Sequence, residues 1–294
     1  MIILDPLDLT AGKFLSSNVP ETDAPAYSGA TTYAVDEAVV FGHKVYASKV
    51  GSNLSNPVTD TTKWTLVGST NQRQMVDAYN NTQTTNANSI VVSFAPGAIA
   101  QALYLGNLAA NSISVTVTDP ADGVVHSIVY SLIISDSGSS FYNWLFKRIR
   151  RKTYFFTGMI PPYVNATVTL TIENTGGVAK CGMCCLGPLI DVGLSQYGLS
   201  TEIKDYSSTT FSFDGTSTSV PRAYAKRMSV DVSIDNDLID SVQQQLADFR
   251  QKPVVWVGAV MFDSAIVYGK YSSFKNVIES HPRSKMALQI EGMV

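Results

Sequence analysis

The residues of this chain with the most chemical potential are three cysteines, Cys181, Cys184 and Cys185, gathered in "KCGMCCLG". Thiolates at C-x-x-C spacing bind zinc, but a structural zinc site takes four ligands, and no second Cys or Cys-His pair completes one. The expectation is no metal. The three side chains are read as small buried apolar groups on a strand beside Gly182 and Gly187. The histidines, His43, His126 and His281, are scattered and lack ligand spacing, so each reads as an ordinary strand or loop residue. There is no G-x-S-x-G elbow, H-E-x-x-H, P-loop or dinucleotide fingerprint. Glycosidase carboxylates can lie far apart in sequence, but nothing marks a pair. No catalytic residue and no cofactor is expected, and the chain is not read as an enzyme.

A second group is basic. In "WLFKRIRRK", Lys147, Arg148, Arg150, Arg151 and Lys152 lie beside Trp144 and Phe146, the composition of a nucleic-acid contact. The chain carries 21 Lys and Arg against 24 Asp and Glu, a net charge of −3, so no field favours nucleic acid overall. A solvated strand face, or contact with a neighbouring subunit, is the expected role. Asn165 opens an N-x-T sequon, but the first residues lack the parts of a secretory leader, so the match carries no weight.

The third group is aromatic. Tyr27, Tyr46 and Trp64, with Tyr33, stand in a stretch of about forty residues, too small for a large hydrophobic core. Exposed rings stack on the apolar faces of sugars, and Asn53, Asn56 and Asp60 could serve the hydroxyl rim. Tyr27, Tyr46 and Trp64 are therefore the candidate glycan-binding residues. The same rings are also the natural core of so small a unit. The expectation is that Trp64 and Tyr46 chiefly hold it together.

The elements that must position these groups are strands. Only 15% of residues are charged, below the roughly 25% of an average soluble domain, while Ser, Thr and β-branched residues recur. Residues 1–24 read as an extended N-terminal arm, mobile alone or clasping a neighbour. A β-module at 25–69 and a polar linker at 70–88 follow. A central β-sandwich at 89–190 is read from "SIVVSF", "SISVTVTD", "VVHSIVYSLII", "KTYFFTGM" and "ATVTLTIEN", separated by turn formers such as "DPADG" and "ENTGG". A C-terminal β-rich domain at 191–294 carries the one persuasive helix, in which Leu238, Val242, Leu246 and Phe249 share a face. Asn236 or Asp237 is placed to cap it and Pro253 to stop it. The fold class expected is mainly β. No stretch approaches the ~20 apolar residues of a membrane span.

Two resemblances add to this reading. Tyr33, Glu37 and Val39, then Gly42, Tyr46 and Ala47, then Pro57, Trp64 and Val67 fall in the register of the small chitin- and cellulose-binding-type module. Asp36 stands where that pattern has glycine, and Tyr27 where many members have tryptophan. The phrases "IPPYVNATVTLTIENTGGVAKCG", "VPRAYAKRMSVDVSIDN", "PVVWVGAV" and "LQIEGMV" resemble a family of structural proteins from tailed bacteriophages. That likeness implies a virion part of the tail or baseplate, made in the host cytoplasm, with other tail, baseplate or connector proteins as partners. A homo-oligomer is expected, and the chain's slight negative charge argues against nucleic-acid contact. The alternative is an adsorption protein that grips a host-surface glycan with the N-terminal module. A cell-wall hydrolase is the third, least supported, reading.

Overall fold

The computed structural model describes residues 1–9, 12–134, 141, 146, 150–278 and 282–293. The chain opens with β1 (Ile2–Leu4) and β2 (Phe14–Ser17), then forms β3 (Ala38–Phe41), β4 (Lys44–Ser48) and β5 (Trp64–Ser69). There follow β6 (Thr84–Phe94), β7 (Ala102–Gly106), β8 (Ser112–Asp119), β9 (Gly123–Ser131), β10 (Ile133–Ile134), β11 (Arg150–Arg151) and β12 (Phe155–Thr157). Next are β13 (Thr167–Cys181), β14 (Met183–Gly187), β15 (Leu189–Asp191), β16 (Leu194–Ser195), β17 (Ser200–Asp205), β18 (Ser208–Phe211) and β19 (Ser217–Val220). The chain closes with β20 (Tyr224–Asp235), helix α1 (Ile239–Asp248), β21 (Val254–Val257), β22 (Ile266–Val277) and β23 (Arg283–Gly292). The protein is mainly β, and every pairing between these strands is antiparallel.

The body is a stack of layers. A five-stranded sheet, β2-β6-β13-β8-β9, faces a three-stranded sheet, β12-β7-β14. Ile90, Val92, Ile113, Val115, Leu170 and Ile172 from the first meet Leu103, Leu105, Cys184 and Leu186 from the second. The other face of the three-stranded sheet, through Ala102, Tyr104, Met183 and Cys185, packs on Leu4, Val255, Val257, Ile266 and Tyr268 of an eight-stranded sheet. The far side of that sheet, through Ile3, Trp256 and Val267, receives Val242, Leu246 and Phe249 beneath α1. Strands β7 and β14 are buried at every position, which is why "ALYLG" and "MCCLG" show no polar alternation.

Residues 1–24 are not a free arm. Strand β1 lies inside the eight-stranded sheet, pairing with β15 on one side and β21 on the other, and Ile3 and Leu4 are fully buried. Residues 5–7 then run along β14, where Leu7 N–H donates to Leu186 O at 2.9 Å. A Cβ on Gly187 would stand 1.9 Å from the Asp5 carbonyl, so only glycine admits this passage. Apolar side chains without sequence periodicity found their home in distant strands of the same chain, which local pattern cannot reveal. The division at 190/191 is likewise bridged, because β1 and β15 join the C-terminal sheet and the three-stranded sheet is shared by two cores.

The polar stretch 70–88 also departs from a linker. Met75 is fully buried, its N–H donates to Thr84 Oγ1 at 2.9 Å, and β6 already begins at Thr84. Asn71 Nδ2 donates to Thr85 O while Asn71 Oδ1 accepts from Thr85 N–H. The "ENTGG" turn is a bulge within the continuous β13, between Glu173 and Val178. "DPADG" is a hairpin turn, with Asp119 Oδ2 accepting from the Ala121 and Asp122 amides and Gly123 at φ 74°. In the helix, Val242, Leu246 and Phe249 are buried but Leu238 is exposed. No side-chain cap forms, since Asn236 Oδ1 accepts from Ser284 instead. Among the described residues no helix is long and apolar enough to cross a membrane.

Candidate functional site

The aromatic module is a three-stranded sheet, β3-β4-β5. Strands β3 and β4 turn at Gly42 and His43, both in the left-handed region (φ 57° and 62°), the conformation that a two-residue hairpin turn demands. Asp36, standing where the resembled pattern has glycine, also has positive φ (63°), which explains a glycine preference there and its tolerance of Asp. The next residue, Glu37, accepts from Ala34 N–H at 2.8 Å through Oε2.

Trp64 lies at the centre with 2% exposure, packed with Tyr33, Val39 and Val58. Its ring meets Tyr27 and Tyr33 edge-on at 5.7 and 5.3 Å, and its indole N–H donates to Asn56 O at 3.0 Å. Tyr27 is half-buried, stacks on Tyr33 at 6.0 Å and donates its hydroxyl to the same carbonyl at 2.7 Å. Tyr46 is half-buried on β4, opposite Val39 and Leu66. The rings thus come together, but as a core.

The polar groups suited to a sugar rim are engaged internally. Asn53 is buried, pairs both backbone groups with Tyr33 and donates its amide to Ser48 Oγ at 2.8 Å. Asn56 donates to Asn53 Oδ1, and Asp60 Oδ1 accepts from the amide and hydroxyl of Thr62. The last two bonds hold the Asp60 carboxyl below its ordinary range.

The module is clasped to the body through Glu21. His43 Nδ1 lies 3.0 Å from Glu21 Oε1, and Thr70 Oγ1 donates to the same oxygen at 2.6 Å. Although burial opposes it, these two partners and the Arg73 charge hold the Glu21 carboxyl low. The Arg73 guanidinium in turn lies 3.6 Å above the Phe14 ring.

Cys181, Cys184 and Cys185 are free thiols, buried on β13 and β14. Burial raises all three, Cys181 to about 12, so they stay protonated and unreactive at neutral pH. Among the described residues no group of three His, Cys, Asp or Glu side chains is placed to hold a metal ion. His126 lies on the edge strand β9, its Nε2 buried without a hydrogen-bond partner among the described residues. His281, Trp144, Lys147 and Arg148 lie outside the described residues. Of the rest of the basic run, Arg150 and Arg151 are exposed on β11, and Lys152 pairs with Asp263 at 2.7 Å.

One surface was missed in the sequence. Among the described residues, strands β18 and β19 pair only with each other, and seven of their eight residues are exposed. Phe211 is 77% exposed, and Phe213 in the connecting turn is completely so. The signal was present in "STTFSFDGTSTSV", where Ser and Thr occupy both faces and leave no side for a core of its own. No protein family and no curated protein matches this chain.

Proposed function

We propose that this chain is a structural subunit of a bacteriophage tail or baseplate, assembled with other virion proteins through exposed β-elements. The observation that carries the reading is the β18–β19 hairpin with Phe211 and Phe213 outside any core. A two-stranded hairpin is marginal by itself in water, and both outer edges here offer unpaired backbone groups. Such an element gains stability when another chain covers its rings and extends its ladder. The layered body suits the same role as a rigid platform. The resemblance to tailed-phage structural proteins supplies the setting.

Host-glycan adsorption through Tyr27, Tyr46 and Trp64 has less support, because Trp64 presents no free face and Asn53, Asn56 and Asp60 are engaged within the module. Mass spectrometry of purified tailed particles tests the proposal. The expected result is this chain in stoichiometric amount with other tail or baseplate proteins. Its absence from the particles would overturn the reading.

A further inference from the structure

A cleft of about 440 Å³ opens where the three-stranded sheet meets the eight-stranded one. That size falls within the roughly 300–1,000 Å³ of small-molecule sites. Its wall includes Tyr154, Tyr224, Tyr268, Lys226 and Asn80. Tyr268 is buried and stacked on Tyr104 at 6.3 Å, forming a fixed floor, whereas Tyr224 is 55% exposed.

The polar groups are incompletely satisfied. The Lys226 ammonium lies 3.4 Å from the centre of the Tyr154 ring, and no carboxylate among the described residues is within ion-pairing distance of it. Asp263, the acid whose charge acts on it, is held by Lys152 at 2.7 Å. Burial lowers the Lys226 amine to about 8, so it remains largely protonated at neutral pH while costing desolvation that an anion would offset. Asn80 Oδ1 is buried beside the cleft without a hydrogen-bond partner among the described residues, although its backbone carbonyl accepts from Asn107 Nδ2 at 2.7 Å.

We propose that this cleft binds an anionic sugar unit: its carboxylate or phosphate meets Lys226, its apolar ring face rests on Tyr224, and a hydroxyl pairs with Asn80 once that side chain turns toward it. An aromatic wall alone would suit many apolar ligands, and a lone ammonium any anion. A half-buried cation, an exposed phenol ring and an unpaired carboxamide oxygen together select a ligand that is charged, hydroxylated and flat on one side.

Calorimetric titration of the full chain at neutral pH with glucuronate, glucose 6-phosphate, glucose and inorganic phosphate tests this. Either anionic sugar should bind at least about tenfold more tightly than glucose and than phosphate, a difference near 1.4 kcal/mol. Binding by glucuronate alone assigns a carboxylate-bearing sugar, and by glucose 6-phosphate alone a phosphorylated one. Lys226→Met should weaken the anionic sugar about tenfold, and Tyr224→Ala several-fold. Should Lys226→Met fail to fold, Tyr224→Ala, at an exposed position, carries the test. Equal binding of glucose, equal binding of bare phosphate, unchanged affinity in the folded variants, or no binding by any probe would each overturn the proposal.

Discussion

Replacing Trp64 by alanine removes a ring that touches Tyr27 and Tyr33 and anchors the 53–60 loop through Asn56 O. Truncating a buried aromatic costs about 3–5 kcal/mol, and a module of this size has little else to lose. The prediction is that Trp64→Ala in the full chain melts residues 25–69 locally, seen as loss of hydrogen-exchange protection there while the layered body stays protected. Retained protection would mean that the ring is not the module's core. The pH dependence is also set by single residues. Buried neutral thiols at Cys181, Cys184 and Cys185, and phenols at Tyr104, Tyr154 and Tyr268, all have values raised by burial above the ordinary 9.0 and 10.0. Their stabilisation is complete below those ordinary values and is lost as pH rises through the raised ones. Lys226 acts in the opposite sense between about 8 and 10.5, as the unfolded chain holds a proton the folded chain releases. Burial also lowers Arg73, which acts in the same sense as Lys226, whereas Tyr163, Lys204 and Arg227 are raised by their hydrogen-bonded partners and act with the six. Thermal melts should therefore show a falling melting temperature above pH 10; a rising one would contradict this balance.

At the scale of elements, β1 is the sharpest case. Its three residues bridge β15 and β21, so Ile3→Ala should cost about 2–5 kcal/mol in denaturant unfolding of the whole chain. An unchanged midpoint would restore the free-arm reading. Strands with one buried face were legible: β8 alternates at every position, and β20 through most of its length. Strands β7 and β14 were harder to read because two neighbouring layers bury both their faces, removing the alternation that marks a strand. β1 was hidden by its short length and by partners near residues 190 and 256. In the candidate site, the aromatic spacing identified Tyr27, Tyr46 and Trp64 as one group, but sequence could not assign them to core or surface. That choice rests on Asn53 and Asn56, whose amides close on each other and on Ser48.

At the scale of the whole molecule, the stack of sheets and helix runs from the first strand to the last, and the β18–β19 hairpin, like the β3-β4-β5 module and the β10–β11 pair, forms a sheet of its own outside it. Exposed side chains away from any network change folding stability by only about 0.5 kcal/mol when replaced. Phe211→Ser with Phe213→Ser should leave the melting temperature nearly unchanged while reducing incorporation into particles, measured as copies per virion. Unaltered incorporation would place the assembly contact elsewhere on the chain. The most direct measurement is a reconstruction of the intact tailed particle. It is predicted to contain several symmetry-related copies of this chain in the tail or baseplate, with residues 208–220 covered by a neighbouring subunit. A particle that lacks the chain, or one in which Phe211 and Phe213 face open solvent in every copy, would contradict the account.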